Sequence, residues 1–165
     1  MRELALRVRD LILAGDRYRQ ALAAALRVGV PEAVALGHLY HAGQLTPTAI
    51  AERLGVTTAS VTGLLDRLSA SGYLARRPNP GDRRSILVTL TDHGHRAIAA
   101  SFDLFTEDIG LAMAGTEPAE RAGLERLLQR TAAALHHRAT DPGRLAEILA
   151  ANRDPAAADT QEPTA

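Results

Sequence analysis

One interruption governs what this sequence can become. Pro78-Asn79-Pro80-Gly81-Asp82 crowds two prolines and a glycine into five positions, a density that forces a turn. The flanking runs, Tyr73–Arg77 and Ser85–Thr89, are short and of β type, so together they make a hairpin. Elsewhere the apolar residues recur at steps of three and four, the period of a helix buried along one face. One hairpin among helices, with no strand–helix–strand alternation, excludes a doubly wound parallel sheet. The fold class that remains is mainly α (α+β), and no internal repeat is visible.

The helices can be bounded by their caps. Leu4, Val8, Leu11, Tyr18, Leu22 and Leu26 form one face of a long first helix, which Gly29 and Pro31 are expected to break. Pro31 suits the first turn of a second helix running to about His41, and Gly43 stops it. Thr46-Pro47 opens a short helix through Leu54, ended by Gly55. Thr57 caps the next, whose buried stripe is Val61, Leu64, Leu65 and Leu68, and Gly72 closes it. After the hairpin, Thr91 caps a helix with the stripe Ile98, Phe102, Phe105 and Ile109, and Gly115 ends it. Thr116-Glu117-Pro118 starts another, with Leu124, Leu127, Leu128 and Leu135. Asp141-Pro142-Gly143 breaks it before a short helix to about Ala151, and the polar, Ala/Pro-rich residues 152–165 are expected to be loose.

Composition narrows the chemistry. The chain has 165 residues, 46% hydrophobic and 23% charged, enough apolar mass for a core. With aromatics at 3%, Ala, Leu, Val and Ile must fill that core. There is no cysteine, which removes disulfides, thiolate metal sites and thiol redox sensing. No apolar run approaches the roughly 18 residues of a membrane span, and no signal-peptide apolar region follows the first charges, so a cytoplasmic protein without membrane contact is expected. Net charge is zero, with every basic residue an arginine. The distribution is uneven, +2 over residues 1–43, +3 over 44–90 and −5 over 91–165. A basic middle in a neutral chain suggests an anionic partner met by one segment.

Residues 47–71 have the form of a helix-turn-helix. With its apolar stripe packed inward, the second helix leaves Thr58, Ala59, Thr62, Gly63, Asp66 and Arg67 on the opposite face. A helix about 10–12 Å across fits a major groove about 12 Å wide, its N-terminal residues nearest the base edges. Arg76 and Arg77 lie on the first hairpin strand, and Asp82, Arg83 and Arg84 where the tip turns into the second. Such a hairpin beside a groove-sized helix is a winged helix, whose tip can drop into the narrow minor groove. Asp82 is expected to hold a neighbouring arginine by a bidentate salt bridge.

Residues 45–94, LTPTAIAERLGVTTASVTGLLDRLSASGYLARRPNPGDRRSILVTLTDHG, resemble the MarR family of transcriptional regulators. The specific part is RRPNPGDRRS followed by VTLTDHG. The resemblance implies one domain over 1–151, with a winged helix at about 31–90 and dimerisation helices at 1–28 and 91–138. It implies a homodimer that binds a pseudo-palindromic operator in double-stranded DNA and represses, and a small-molecule effector bound between the DNA-binding and helical lobes. Residue by residue, Thr57 matches the cap of the recognition helix, and Thr58, Ala59, Ser60 and Thr62 its groove-facing start. Arg67 matches the arginine of the DRL step. Asp82 and Arg83 match the Asp-Arg pair of the wing, followed by Arg84.

Gly63 departs from the family pattern, since many relatives carry a long basic residue there. Glycine inside a helix costs roughly 1 kcal/mol, and either DNA docking or close helix packing would explain it. Without Arg, Lys, Asn or Gln between Thr58 and Thr62, direct base readout is expected to be modest. Affinity then leans on phosphate and wing contacts and depends on salt.

The stripes of the first helix and of the two long helices after the hairpin exceed what one lobe of about 50 residues can cover, and a two-fold partner would bury them. Of the six histidines, His38 and His41 share a face of the second helix and, with Tyr18, could line an effector cleft. The histidine pairs lack the third and fourth ligands that zinc prefers, so neither metal nor other cofactor is expected. No phosphate loop, nucleophile elbow or zinc-protease motif is present, which speaks against an enzyme. A winged helix that binds proteins rather than DNA is the alternative, and the arginines of 76–84 argue against it.

Overall fold

The structure, a computed structural model, describes residues 1–82 and 84–151. The tail at 152–165 and Arg83 therefore lie outside the described residues. The described residues divide into two units, Met1–Gly110 and one that begins at Leu111. The second holds helices α6 (Pro118–Ala139) and α7 (Pro142–Ala151). Glu117 and Glu120 close a capping box at the start of α6, and no residue of that helix is buried.

The first unit runs α1 (Arg2–Leu26), α2 (Val30–Ala42), β1 (Gln44–Leu45), α3 (Pro47–Leu54), α4 (Thr58–Ala70), β2 (Leu74–Pro78), β3 (Ile86–Leu90) and α5 (Asp92–Ala112). The strands make one antiparallel sheet in the order β1-β3-β2. Leu74 pairs with Leu90, Arg76 with Val88 and Pro78 with Ile86, one residue later on both strands than the pattern suggests. Two-residue β1 carries no periodicity and escaped the sequence reading. It exists because Gln44 and Leu45 pair with Thr89 and Val88.

The caps explain most boundaries. The Thr46 hydroxyl accepts the Ala49 N–H at 3.2 Å, and Gly55 ends α3 in the left-handed region at φ 67°. Helix α1 stops at Leu26, the last residue of its expected stripe, and Arg27 at φ 56° takes the left-handed position before Gly29 is reached. The Arg27 N–H reaches the Ala24 carbonyl and the Val28 N–H the Ala23 carbonyl. A left-handed arginine costs roughly 1–2 kcal/mol; packing Leu26 and Val28 against the core offsets it. Gly29 instead precedes α2 in an extended conformation.

Leu36 and Leu39 of α2, Ile50 of α3, Val61, Leu65 and Leu68 of α4 and Val88 of β3 are wholly buried together. Two tyrosines tie α1 to this lobe, the Tyr73 hydroxyl donating to the Leu26 carbonyl at 3.0 Å and that of Tyr18 to the Ser101 carbonyl at 2.9 Å. Gly94 marks a close approach of backbones, because a Cβ there would overlap the Tyr73 carbonyl oxygen. No single helix among the described residues is long and apolar enough to cross a membrane.

Candidate nucleic-acid interface

Helix α4 presents its first turn outward. Thr57 to Ser60 and Thr62 are all exposed, while Val61, Leu64, Leu65 and Leu68 are buried. The Thr57 hydroxyl accepts the Ser60 N–H at 3.3 Å and pairs with the Ser60 hydroxyl at 2.9 Å. The Thr62 hydroxyl donates to the Thr58 carbonyl at 3.3 Å, which leaves its lone pairs and methyl facing out. Such a surface can accept hydrogen bonds from base amino groups and meet thymine methyls. Gly63 joins it without obstruction. A Cβ there would meet Arg67 Nη1 at 3.6 Å, an ordinary contact, and no second helix. Helix packing thus does not require the glycine.

Two arginines assigned to DNA from the sequence have protein partners. Arg76 Nη2 donates to Asp66 Oδ1 at 2.6 Å, joining β2 to α4. Asp66 and Arg76 thus face each other, which the alternation of the strand did not reveal. Their side chains are 60% and 37% exposed, so the pair contributes at most about 1 kcal/mol. Arg67 donates through Nε (2.8 Å) and Nη2 (2.5 Å) to Oε1 of Glu32 on α2. Glu32 was missed in the sequence, although it stands on the buried row with Leu36 and Leu39, where an acid needs a partner.

The wing tip is ordered by short polar side chains. Asn79 Nδ2 donates to the Ser85 hydroxyl at 2.8 Å, and Asn79 Oδ1 accepts the Gly81 N–H at 3.0 Å. The ion pair expected of Asp82 with a neighbouring arginine bears on Arg83, which lies outside the described residues. The Asp82 carboxylate accepts the backbone N–H of Arg84 at 2.9 Å, and among the described residues it pairs with no guanidinium. The Asx-turn chemistry of Asn79 and Asp82 explains this, since a short acceptor two residues before an N–H closes a local loop. Arg77 and Arg84 are exposed and, among the described residues, without an acidic partner. The expectation for Arg83 falls outside the described residues.

The expected effector cleft is divided. His38 and His41 line a hollow of about 260 Å³ with Arg19, Leu22, Ala33, Val34 and Gly37. Tyr18 does not join them, because its hydroxyl is taken by Ser101 and its ring lies against Phe105 at 5.5 Å. The His41 ring sits edge-on to Phe102 at 5.3 Å. Burial holds the His38 imidazole below its ordinary pKa, helped by the charges of Arg53 and His41. No three His, Asp or Glu side chains among the described residues converge as metal ligands would.

Residues 28–85 match the sequence model of the MarR family. The chain is 33% identical over 87 residues to the multiple antibiotic resistance protein MarR of Escherichia coli, covering 52% of this chain and 60% of that one. It spans about half the length of the Bacillus subtilis transcriptional regulators YfiV and YcgE that it matches. By structure it is similar to apo MarR from E. coli, with a TM-score of 0.60 at 27% identity, over 78% of this chain and 95% of that one. The MepR–DNA complex of S. aureus shares the fold at a TM-score of 0.54 and 21% identity, over 76% and 98%.

Proposed function

We propose, from the match of its winged-helix lobe to the MarR family of transcriptional regulators, that the chain is a member of that family and not an enzyme, a homodimeric, sequence-specific repressor acting on double-stranded DNA in the cytoplasm. One observation carries the reading. The exposed, hydroxyl-rich start of α4 stands in the same lobe as a wing bearing Arg77 and Arg84, and the Asp66–Arg76 pair bridges wing and helix. In the proposed complex α4 enters the major groove while the wing arginines approach the minor groove and the phosphates. Thr58, Ala59 and Thr62 supply base contacts, while Thr57 and Ser60 hold the helix start in shape.

A second copy is the proposed cover for the apolar rows left exposed in one chain, among them Leu4 and Leu11 of α1, Phe102 and Ile109 of α5, and Leu127 and Leu128 of α6. Two-fold symmetry then presents two recognition helices about 34–36 Å apart to a pseudo-palindromic operator. The hollow beside His38 and His41 is the proposed seat of a small-molecule effector.

The test uses a duplex selected by the full-length protein from a randomised library. Arg77→Ala together with Arg84→Ala is expected to weaken binding and flatten its salt dependence by about 0.9 per lost phosphate contact in the slope of log K against log salt. Unchanged affinity, or a chain that sediments as a monomer at micromolar concentration, sinks the reading. Loss of ligand response in a His41→Ala variant that still binds DNA is the result expected for the effector seat.

A further inference from the structure

Glu32 is the one charged side chain buried among the described residues, with 8% of it exposed. Burial of a carboxylate is tolerable only when its charge is matched and its oxygens are hydrogen-bonded. The match comes from 35 residues along the chain, where Nε and Nη2 of Arg67 both donate to Oε1. The other carboxylate oxygen lies close to the backbone. Oε2 lies where a Cβ at residue 29 would stand, so glycine at that position lets Glu32 rest against the backbone at the start of α2.

The pair is lopsided. Arg67 remains 67% exposed, and its third nitrogen, Nη1, makes no bond to Glu32 and lies beside Gly63. Ala59, Gly63 and Arg67 stand four apart in one row along α4, and this row continues the surface begun by Thr58 and Ala59. A guanidinium gripped along one edge has a fixed plane, and a fixed plane aims the remaining N–H donors.

We propose that Glu32 is a positioning residue for DNA binding, which holds Arg67 so that Nη1 meets a phosphate beside the groove entered by α4. This rests on the reading of α4 as the groove helix. It also has an unusual sign. Glu32 is an acid near the DNA face, so on charge alone its neutralisation tightens binding. As the brace of Arg67, its neutralisation loosens binding instead.

The experiment measures affinity of the full-length chain for the selected duplex across a salt series, by fluorescence anisotropy. Arg67→Ala is expected to reduce the slope of log K against log salt by about 0.9, the loss of one phosphate. Glu32→Gln is expected to weaken binding about threefold or more, and to add no further loss in the Arg67→Ala background. Arg67→Lys separates positioning from simple fold support. Its single ammonium is drawn to Glu32 and keeps the thermal midpoint, yet has no second nitrogen for DNA, so the slope falls as in Arg67→Ala.

Equal or tighter binding by Glu32→Gln overturns the proposal. So does an Arg67→Lys variant with the wild-type slope, or a Glu32→Gln loss of the same size with and without Arg67. Should Glu32→Gln fail to fold, the lysine variant decides. The Arg77→Ala/Arg84→Ala chain serves as the control for the underlying reading. If it loses affinity while Glu32→Gln does not, the inference alone fails. If the wild-type chain selects no duplex, the DNA reading fails and the inference with it.

Discussion

The same substitution at two helical glycines should move stability in opposite directions. Gly63 sits inside α4, and a methyl there meets Arg67 Nη1 at 3.6 Å and nothing harder. Alanine restricts the unfolded chain and favours helix, a gain of about 0.5–1 kcal/mol in an unstrained interior position. For a chain of this size about 1 kcal/mol shifts the thermal midpoint by roughly 2–4 °C, so Gly63→Ala should raise it by about 1–4 °C. Gly94 faces a different neighbour. A methyl there overlaps the Tyr73 carbonyl oxygen, which already accepts the Thr91 N–H at 2.9 Å. The Tyr73 side chain is held on both sides, by its stacking on His93 at 4.9 Å and by its hydroxyl on Leu26. With no freedom to retreat, the overlap should cost about 1–3 kcal/mol, as overpacking does elsewhere. Urea unfolding followed by far-ultraviolet circular dichroism, at one fixed protein concentration, measures both. A Gly63→Ala chain destabilised by more than about 0.5 kcal/mol would refute the claim that packing leaves position 63 open. A Gly94→Ala chain as stable as wild type would refute the contact with Tyr73.

Three further outcomes are expected. Tyr73→Phe removes the bond to the Leu26 carbonyl and should destabilise by about 1 kcal/mol, read in the same unfolding assay; no change would mean that the bond does not anchor α1. Thr46→Ala should lose about 1 kcal/mol through the cap of α3, and Thr46→Ser should restore most of it. His38 should titrate below about 6.5, the ordinary imidazole value, because burial and the charges of Arg53 and His41 disfavour its protonated form. The unfolded chain then binds the proton more tightly than the folded one, so stability falls as pH drops through that value and levels off below the folded pKa. A nuclear magnetic resonance midpoint for His38 at or above about 6.5 would contradict the burial.

What was legible in the sequence, and what was not, divides by the range of the interaction. Thr46, Thr57 and Thr91 were readable as caps because each accepts an N–H three residues on, and Gly55 because a left-handed helix end needs no distant neighbour. The stripe Val61, Leu64, Leu65 and Leu68 was readable because burial at helical spacing repeats within one segment. Arg27 shows where local signals give way. The left-handed turn falls on Arg27, before the Gly29 that propensity would favour, and leaves Leu26 and Val28 packed against the core. The ion pairs were illegible for the same reason, made stronger by distance, since Glu32 finds Arg67 only through the packing of α2 on α4.

That division changes how the charge of the winged-helix segment should be counted. Of six arginines over residues 44–90, Arg76 is held by Asp66 and Arg67 by Glu32. An excess of +3 read from composition therefore overstates the cations free to meet phosphate, and it misplaces them. Among the described residues of this segment Arg53, Arg77 and Arg84 are left without an acidic partner, two of them on the wing, while the paired arginines bridge the wing to α4 and α4 to α2. A surface built this way gains less from nonspecific attraction than its arginine count suggests, and more from groups already aimed before DNA arrives, because little side-chain freedom remains to be lost on docking. Alanine at a paired position should therefore disturb the geometry of binding more than its salt dependence, and alanine at Arg77 or Arg84 the reverse. Arg67 is the exception that joins the two classes, with one edge spent on the fold and one nitrogen left for DNA.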